Sequence, residues 1–339
     1  MKAYQIGPQT GLASLTPVTR PDPVPGLGEV VIKVLEICLN HRDMLVLEGR
    51  YGALRPETRV PVSEGVGEVL AVGPGVTSVK PGDIVVAPHF VTWLDGTFSP
   101  AAFGSDYGIT HDGWLAEQLV MPAAALIVLP ASVTIRQAAP LASSALTAWH
   151  ALVEVGGIKA GDLVLALGTG GVSIFALQIA KMCGARVAIT SSSDAKLAQA
   201  RALGADITIN YATTPDWATA LATANAGKGA DIIVETGGQA TLSQSINAAA
   251  PNARIIIIGA LAGAAETGLP NYGAIIGKNL TLRGIAEGSR AMLARLVGAI
   301  AANGLEPVID KVFGFDEAPA AYAYLKSGAH LGKVLIKVG

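Results

Sequence analysis

Gly168, Thr169, Gly170 and Gly171 carry the clearest chemical potential in this chain, set between an unbroken apolar run at 163–167 and a stretch from Val172 onward with helically spaced apolar residues. Glycines at a sharp turn let backbone approach a ligand closely. The helix that follows offers unpaired N–H groups and the positive end of its dipole, so the pattern suits a diphosphate. A strand buried on both faces reads as a continuous apolar run, as 163–167 does. Ile174, Leu177, Ile179 and Met182 give the helix its apolar face, and Gly184 is placed to end it. Residues 186–190 form the next strand and complete the βαβ unit that a dinucleotide needs. Ser173 stands where a third glycine is usual, and a glycine cluster alone is a weak signal. The order strand, turn, helix, strand gives it weight. The plain alternative is a tight turn in an α/β domain that binds nothing.

An acidic side chain at the end of the second strand would accept hydrogen bonds from a ribose 2′-hydroxyl, the arrangement that selects NAD(H). This chain has Thr190, Ser191, Ser192 and Ser193 there, with Ser191 in the acidic position. Hydroxyls can donate to a 2′-phosphate that a carboxylate would repel, and Lys196 offers a counter-charge, with Arg186 and Arg201 as lesser helpers. NADP(H) is expected over NAD(H). The alternative makes the serines a turn and the N-cap of the next helix. Thr236-Gly237-Gly238 and Gly259-Ala260-Leu261 follow two further strands, at the carboxyl edge where open α/β sheets bind ligands. They are expected to flank the nicotinamide, or else to be ordinary turns.

The elements that position these residues alternate regularly. Strands are expected at 207–210, 231–235, 254–258 and 279–285 with helices between them, Thr214-Pro215 serving as cap and first turn of one. That alternation predicts a doubly wound parallel sheet. Residues 1–126 are strand-rich and broken by Gly and Pro, with strands at 29–39, 64–72 and 83–87, and read as a small β-barrel. The irregular stretch 88–113 holds Phe90, Trp93, Phe98, Phe103 and Tyr107. A helical pattern at 138–155 leads into the sheet; helices at 289–303 and 316–326 and a strand at 333–338 follow it. The expected organisation is an α/β chain: a barrel domain at 1–140, completed by 286–339, and a dinucleotide domain at 141–285.

Lys and Arg number 24 against 26 Asp and Glu in 339 residues, so no basic surface for nucleic acid or anionic lipid is expected. No signal peptide is read, and the longest uncharged run, 163–180, is broken by its glycine turn, which argues against a membrane span. A cytoplasmic protein is expected, with Cys38 and Cys183 as reduced core thiols.

Asn40-His41-Arg42-Asp43, Gly49-Arg50-Tyr51-Gly52, Glu64-Gly65-Val66-Gly67-Glu68-Val69, Val79-Lys80-Pro81-Gly82-Asp83-Ile84-Val85, the glycine turn, Leu203-Gly204-Ala205-Asp206 and Gly332-Lys333-Val334 resemble one family across essentially the whole chain. It is the medium-chain dehydrogenase/reductase superfamily, and within it the zinc-independent quinone-oxidoreductase-like branch. The resemblance implies a GroES-like β-barrel domain plus a Rossmann domain, an active site in the cleft between them, and a homodimer paired through the Rossmann edge strand at 279–285. Zinc members place a Cys, a His-Glu pair and a second Cys on the metal. The matching positions here hold Asn40, Ser63 with Glu64, and roughly Ser143, so only Glu64 keeps a ligand's chemistry. No Cys lies between Val85 and Met121 to form a structural zinc lobe, and Cys38, His41, His89, His111 and His150 fall at no recognisable ligand spacing. No metal is expected.

Without a metal to polarise a carbonyl, the implied reaction is reduction of quinones or other polarised C=C bonds, such as enones and enals, with the charge spread into an enolate held by hydrogen-bond donors. Asn40 and Tyr51, at the matching positions of the family's motifs, are the expected donors. Tyr51 resembles the tyrosine with which enoyl thioester reductases protonate their product, and a phenol of ordinary pKa, about 10, holds its proton at neutral pH. The alternative for Tyr51 is a turn tyrosine packed on the barrel. Asp43 is expected to hold the loop that carries Asn40, and by resemblance Tyr211 flanks the 2′-phosphate end of the cofactor. Two other functions stay open: an alcohol or carbonyl dehydrogenase of the same superfamily, and a cofactor-binding protein with little catalysis.

Overall fold

The computed structural model describes residues 1–51, 58–259, 261 and 270–339. Its strands are, in chain order, β1 (Lys2–Ile6), β2 (Leu15–Thr19), β3 (Glu29–Leu39), β4 (Glu64–Val72), β5 (Ile84–Val86), β6 (Gln118–Pro122), β7 (Ile127–Val128), β8 (Leu163–Ala166), β9 (Arg186–Ser191), β10 (Ile207–Asn210), β11 (Ala230–Glu235), β12 (Ala249–Ile257), β13 (Thr281–Gly284), β14 (Ile309–Gly314) and β15 (Lys333–Lys337). They divide between two units, Met1–Leu146 with Gly288–Gly339, and Thr147–Glu287. The boundaries lie a few residues beyond the expected 140 and 285.

In the first unit, β14, β15, β3, β4, β5 and β7 lie side by side in that order, and β6 also pairs with β3. The long strand β3 is the spine: β15, β4 and β6 all pair with it antiparallel. Close approach of β4 to β3 requires glycine at Gly67, where a Cβ would collide with Ile32 and the Lys33 carbonyl. The core gathers Val30, Ile32, Val34 and Ile37 from β3, Trp114 and Leu115, and Val334 and Ile336 from β15. Residues about three hundred positions later in the sequence thus complete the core that β3 begins. This is the GroES-like domain.

The second unit is a six-stranded parallel sheet in the order β10, β9, β8, β11, β12, β13. From β8 the chain steps outward to one edge through β9 and β10, then returns and steps to the other through β11, β12 and β13. This is the doubly wound Rossmann order, with its switch point beside β8. β8 is buried at every residue, as its unbroken apolar run requires.

Two local expectations are corrected. The helix after β10 runs Trp217–Ala224 and is capped by Asp216, whose side chain accepts from Thr219 N; Thr214-Pro215 lie before the cap. The carboxylate wins because it sits one position before the first helical residue, where its oxygen reaches the free N–H groups. Cys38 is buried, but Cys183 at the end of a helix is only partly so and is not a core thiol. The stretch expected to be helical at 138–155 is helical without a break over 141–155, wound as a wide π-type turn Leu141–Ala145, an α-helical turn Leu146–Trp149 and a second π-type turn His150–Val155.

Candidate active site

In the Rossmann unit the turn after β8 is built from side chains that bond back to it. Ser173 Oγ and Thr236 Oγ1 both donate to the Leu167 carbonyl, at 2.6 and 3.0 Å, which ties the turn after β11 to the glycine turn. Gly168 N donates to Thr190 Oγ1 at 3.2 Å, and Thr169 Oγ1 lies 3.4 Å from Ser191 Oγ. Gly168 has φ +77°, a conformation that other residues adopt only with strain. A Cβ at Gly168 or Gly170 would meet no protein atom within 4 Å, so the turn opens onto free space. Helix α1 of this unit (Gly171–Met182) starts there with no side-chain cap, which leaves the N–H groups of its first turn, Val172 included, for a ligand. These features fit a dinucleotide diphosphate.

At the end of β9, Ser191 is buried and accepts from Ser193 N at 3.3 Å, while Ser192 is exposed. Ser193 caps the next helix, taking the Lys196 N–H at 3.4 Å. The Tyr211 amide donates to the Ser191 carbonyl at 3.0 Å, so the half-exposed Tyr211 stands beside the serines. Across the sheet, Leu261 N donates to Thr236 O at 3.2 Å, and a Cβ on Gly259 would press on the Thr236 carbonyl. The structure therefore gathers Gly168 to Val172, Ser191, Tyr211, Thr236, Gly237, Gly259 and Leu261 along the carboxyl edge of one sheet. Ala260, between the last two, lies outside the described residues.

Sequence reasoning missed the group that holds the Thr236-Gly237-Gly238 turn. Glu235 is fully buried, and its Oε1 accepts from Gly237 N at 2.8 Å, Gly238 N at 3.0 Å and Thr241 Oγ1 at 2.6 Å, while Ser245 Oγ donates to its Oε2. A carboxylate closing the apolar run Ile232, Ile233 and Val234 at the carboxyl end of the strand was the available signal.

In the GroES-like unit a second polar cluster is buried. Asn40 Nδ2 donates to Glu64 Oε1 at 2.7 Å, and Asn40 Oδ1 accepts from Ser144 Oγ at 3.0 Å and from Lys333 Nζ at 2.6 Å. Both ends of the Asn40 amide are thus engaged within the protein. Glu64 Oε2 accepts the Ser143 N–H at 2.7 Å, a free donor in the first turn of Leu141–Ala145. Asp43 Oδ2 accepts from Asn40 N at 2.8 Å and its Oδ1 from Ser63 Oγ at 3.3 Å, which fixes the loop carrying Asn40. Beside it, Arg42 donates to both oxygens of buried Asp106 at 2.8 Å, and its guanidinium lies 5.1 Å from the centre of the half-buried Tyr51 ring. In the sequence Lys333 stands out only as part of the Gly332-Lys333-Val334 marker, which assigns it no role. It lies 293 residues from Asn40, and no spacing reveals that contact. Among the described residues no three His, Cys, Asp or Glu side chains cluster as a metal site would need.

Comparison with known proteins places this architecture. Residues 26–131 match the alcohol dehydrogenase GroES-like domain and residues 171–302 the zinc-binding dehydrogenase domain. A zinc-type alcohol dehydrogenase-like protein of Schizosaccharomyces pombe is 42% identical over 317 residues, covering 92% of this chain and 91% of its own. The chain belongs to the medium-chain dehydrogenase/reductase superfamily. It is an oxidoreductase of the NAD(P)H-dependent kind. An acryloyl-coenzyme A reductase of Metallosphaera sedula is 29% identical over 93% of this medium-chain dehydrogenase/reductase and 94% of its own chain. Among solved structures, an NAD-dependent alcohol dehydrogenase superimposes with TM-score 0.90 at 33% identity over the whole of both chains. Escherichia coli quinone oxidoreductase complexed with NADPH shares the fold, with TM-score 0.83 at 23% identity over the whole of both chains.

Proposed function

We propose that this protein is an NADPH-dependent reductase of quinones or other polarised C=C bonds, working without zinc. The observation that carries this reading is the donor set of the buried cluster. Asn40, Glu64, Ser144 and the Ser143 amide are hydrogen-bonded to one another or to the Lys333 ammonium, and Glu64 is the one group among them of a kind that zinc sites employ. Reduction of a conjugated bond does not call for a Lewis acid, because the developing charge is delocalised and a few oriented donors can hold it. The similarity to an acryloyl-coenzyme A reductase, named for a conjugated thioester, points the same way.

In this reading the open turn at Gly168, Thr169, Gly170, Gly171 and Val172 receives the cofactor diphosphate. Ser191, Ser192 and Lys196 hold the 2′-phosphate, Tyr211 covers that end, and Thr236, Gly237, Gly259 and Leu261 flank the nicotinamide. The chemistry that NADPH would supply when held there is a hydride for the β carbon of the acceptor. Tyr51 then delivers a proton to the resulting enolate, which balances the two-electron reduction, and Asn40 orients the centre. A screen of quinones, enones and enals with NADPH consumption as readout tests the class. Tyr51→Phe should lower turnover about tenfold or more with NADPH affinity unchanged, and undiminished turnover would remove Tyr51 from the mechanism.

A second reading, an alcohol dehydrogenase using NAD, is favoured by the solved structure at TM-score 0.90. Stoichiometric zinc together with alcohol oxidation by NAD, abolished by chelator, would establish it instead.

A further inference from the structure

Among the described residues, Lys333 is the only buried lysine. Its Nζ donates to Asn40 Oδ1 at 2.6 Å, Ser144 Oγ at 2.9 Å and the Leu39 carbonyl at 3.1 Å, and Glu64 Oε1 lies 3.4 Å away. An ammonium has three hydrogens, and these three acceptors use them all. These acceptors are oxygens, with the Cys38 side chain beside Lys333 and Glu64, and they draw on β3, β4, β15 and the turn Leu141–Ala145. Burial pushes the Cys38 thiol beside them well up, and among the described residues no three His, Cys, Asp or Glu side chains gather here as a metal would need. The name of the domain matched at 171–302 implies zinc, but these residues do not fit it: zinc prefers thiolate and imidazole, and a cation already fills the centre of the shell.

Two consequences follow from the charges. Glu64 is fully buried, and a buried carboxylate without a counter-ion is strongly unfavourable. Burial pulls the Lys333 ammonium towards neutrality, but the neighbouring Cys38 and Glu64 outweigh that and hold its pKa above the ordinary lysine value. The ammonium also fixes which way the Asn40 amide faces. Turned over, the amide would set its NH2 against the ammonium and its oxygen against the carboxylate.

We propose that the Lys333 ammonium is the resident cation of this centre, a positioning residue that neutralises Glu64, fixes the Asn40 amide and Ser144 hydroxyl for turnover, and excludes a divalent metal from the shell. The part concerning turnover rests on the reading of Asn40 as part of the active centre; the part concerning charge does not.

Urea unfolding of the wild type, Lys333→Met, Glu64→Gln and the double variant separates the two. Each single variant should lower the midpoint by about 1 M or more, and the double variant should recover over half of the Lys333→Met loss. Losses that simply add would overturn the proposal. Chelator-treated wild type dialysed against zinc sulfate should retain well under one zinc per chain. One zinc per chain, lost in Glu64→Gln, would also overturn it. In the enone assay Lys333→Ala should lose about tenfold or more in kcat with KM for NADPH unchanged, and ethylammonium chloride, but not ethanol, should restore part of it. A full kcat in Lys333→Ala overturns the positioning role. If the wild type itself turns over no quinone, enone or enal, it is the reading of function that fails, and the unfolding and zinc measurements still decide the cation.

Discussion

Burial pushes the Asp43 carboxyl up to about 6, against the pull of Arg42 and the Asn40 amide hydrogen bond. The folded chain therefore holds this proton more tightly than the unfolded chain, whose carboxyl titrates near 3.8. The stability contributed in this way is fully present below the unfolded value and is lost as pH rises through about 6. A shift of that size corresponds to about 3 kcal/mol at most. Asp43→Asn should flatten this part of the stability curve. Urea midpoints between pH 4 and 8 check it, and parallel curves for the two proteins would count against it. Ser191 is the residue on which cofactor choice turns in our reading. Ser191→Asp should weaken NADPH binding about tenfold or more and spare NADH, because a carboxylate repels a 2′-phosphate; fluorescence titration with both cofactors decides it.

At the scale of elements, the stretch 88–106 builds a small core of its own. Phe90 packs its ring on Phe103, Phe98 and Trp93, with centroids 5.4, 6.0 and 6.3 Å away, and Trp93 meets Phe98 edge-on at 5.0 Å. Phe90 is buried, so Phe90→Ala should cost about 3–5 kcal/mol, seen as a lower Tm with faster proteolysis confined to this stretch. An unaltered cleavage pattern would show that the rings do not hold it. Elements of this kind differ in how far a sequence reveals them. Continuous apolar runs announced β8 and β11, and glycines announced the turn after β8, because one local cause dictates each. The cap at Asp216, the π-type turns around Ser143 and the reach of Lys333 to Asn40 were not legible. Each depends on which distant group lies opposite, and spacing along the chain carries no trace of that. Tyr51 was singled out by motif, and what surrounds it, the Arg42 guanidinium paired with Asp106, came only from the fold.

At the scale of the molecule, β13 lies at one edge of the Rossmann sheet and is largely exposed. An uncovered edge presents unpaired N–H and C=O groups, and we propose that a second copy of the chain covers it. Light scattering should then report twice the 34.4 kDa of one chain, and Leu282→Pro should shift the protein towards monomer. A monomer at micromolar concentration in the wild type would contradict this.

β15, which brings Lys333 to Asn40, is laid down only after the whole of Thr147–Glu287. A growing polypeptide can therefore finish its nucleotide-binding half, a continuous segment, while the other half still has an unmatched acid at Glu64. Nascent chains arrested in between should be recognisable to chaperones and proteases by that open seam along β3, and competence for redox chemistry arrives in one late event when the returning strand zips shut.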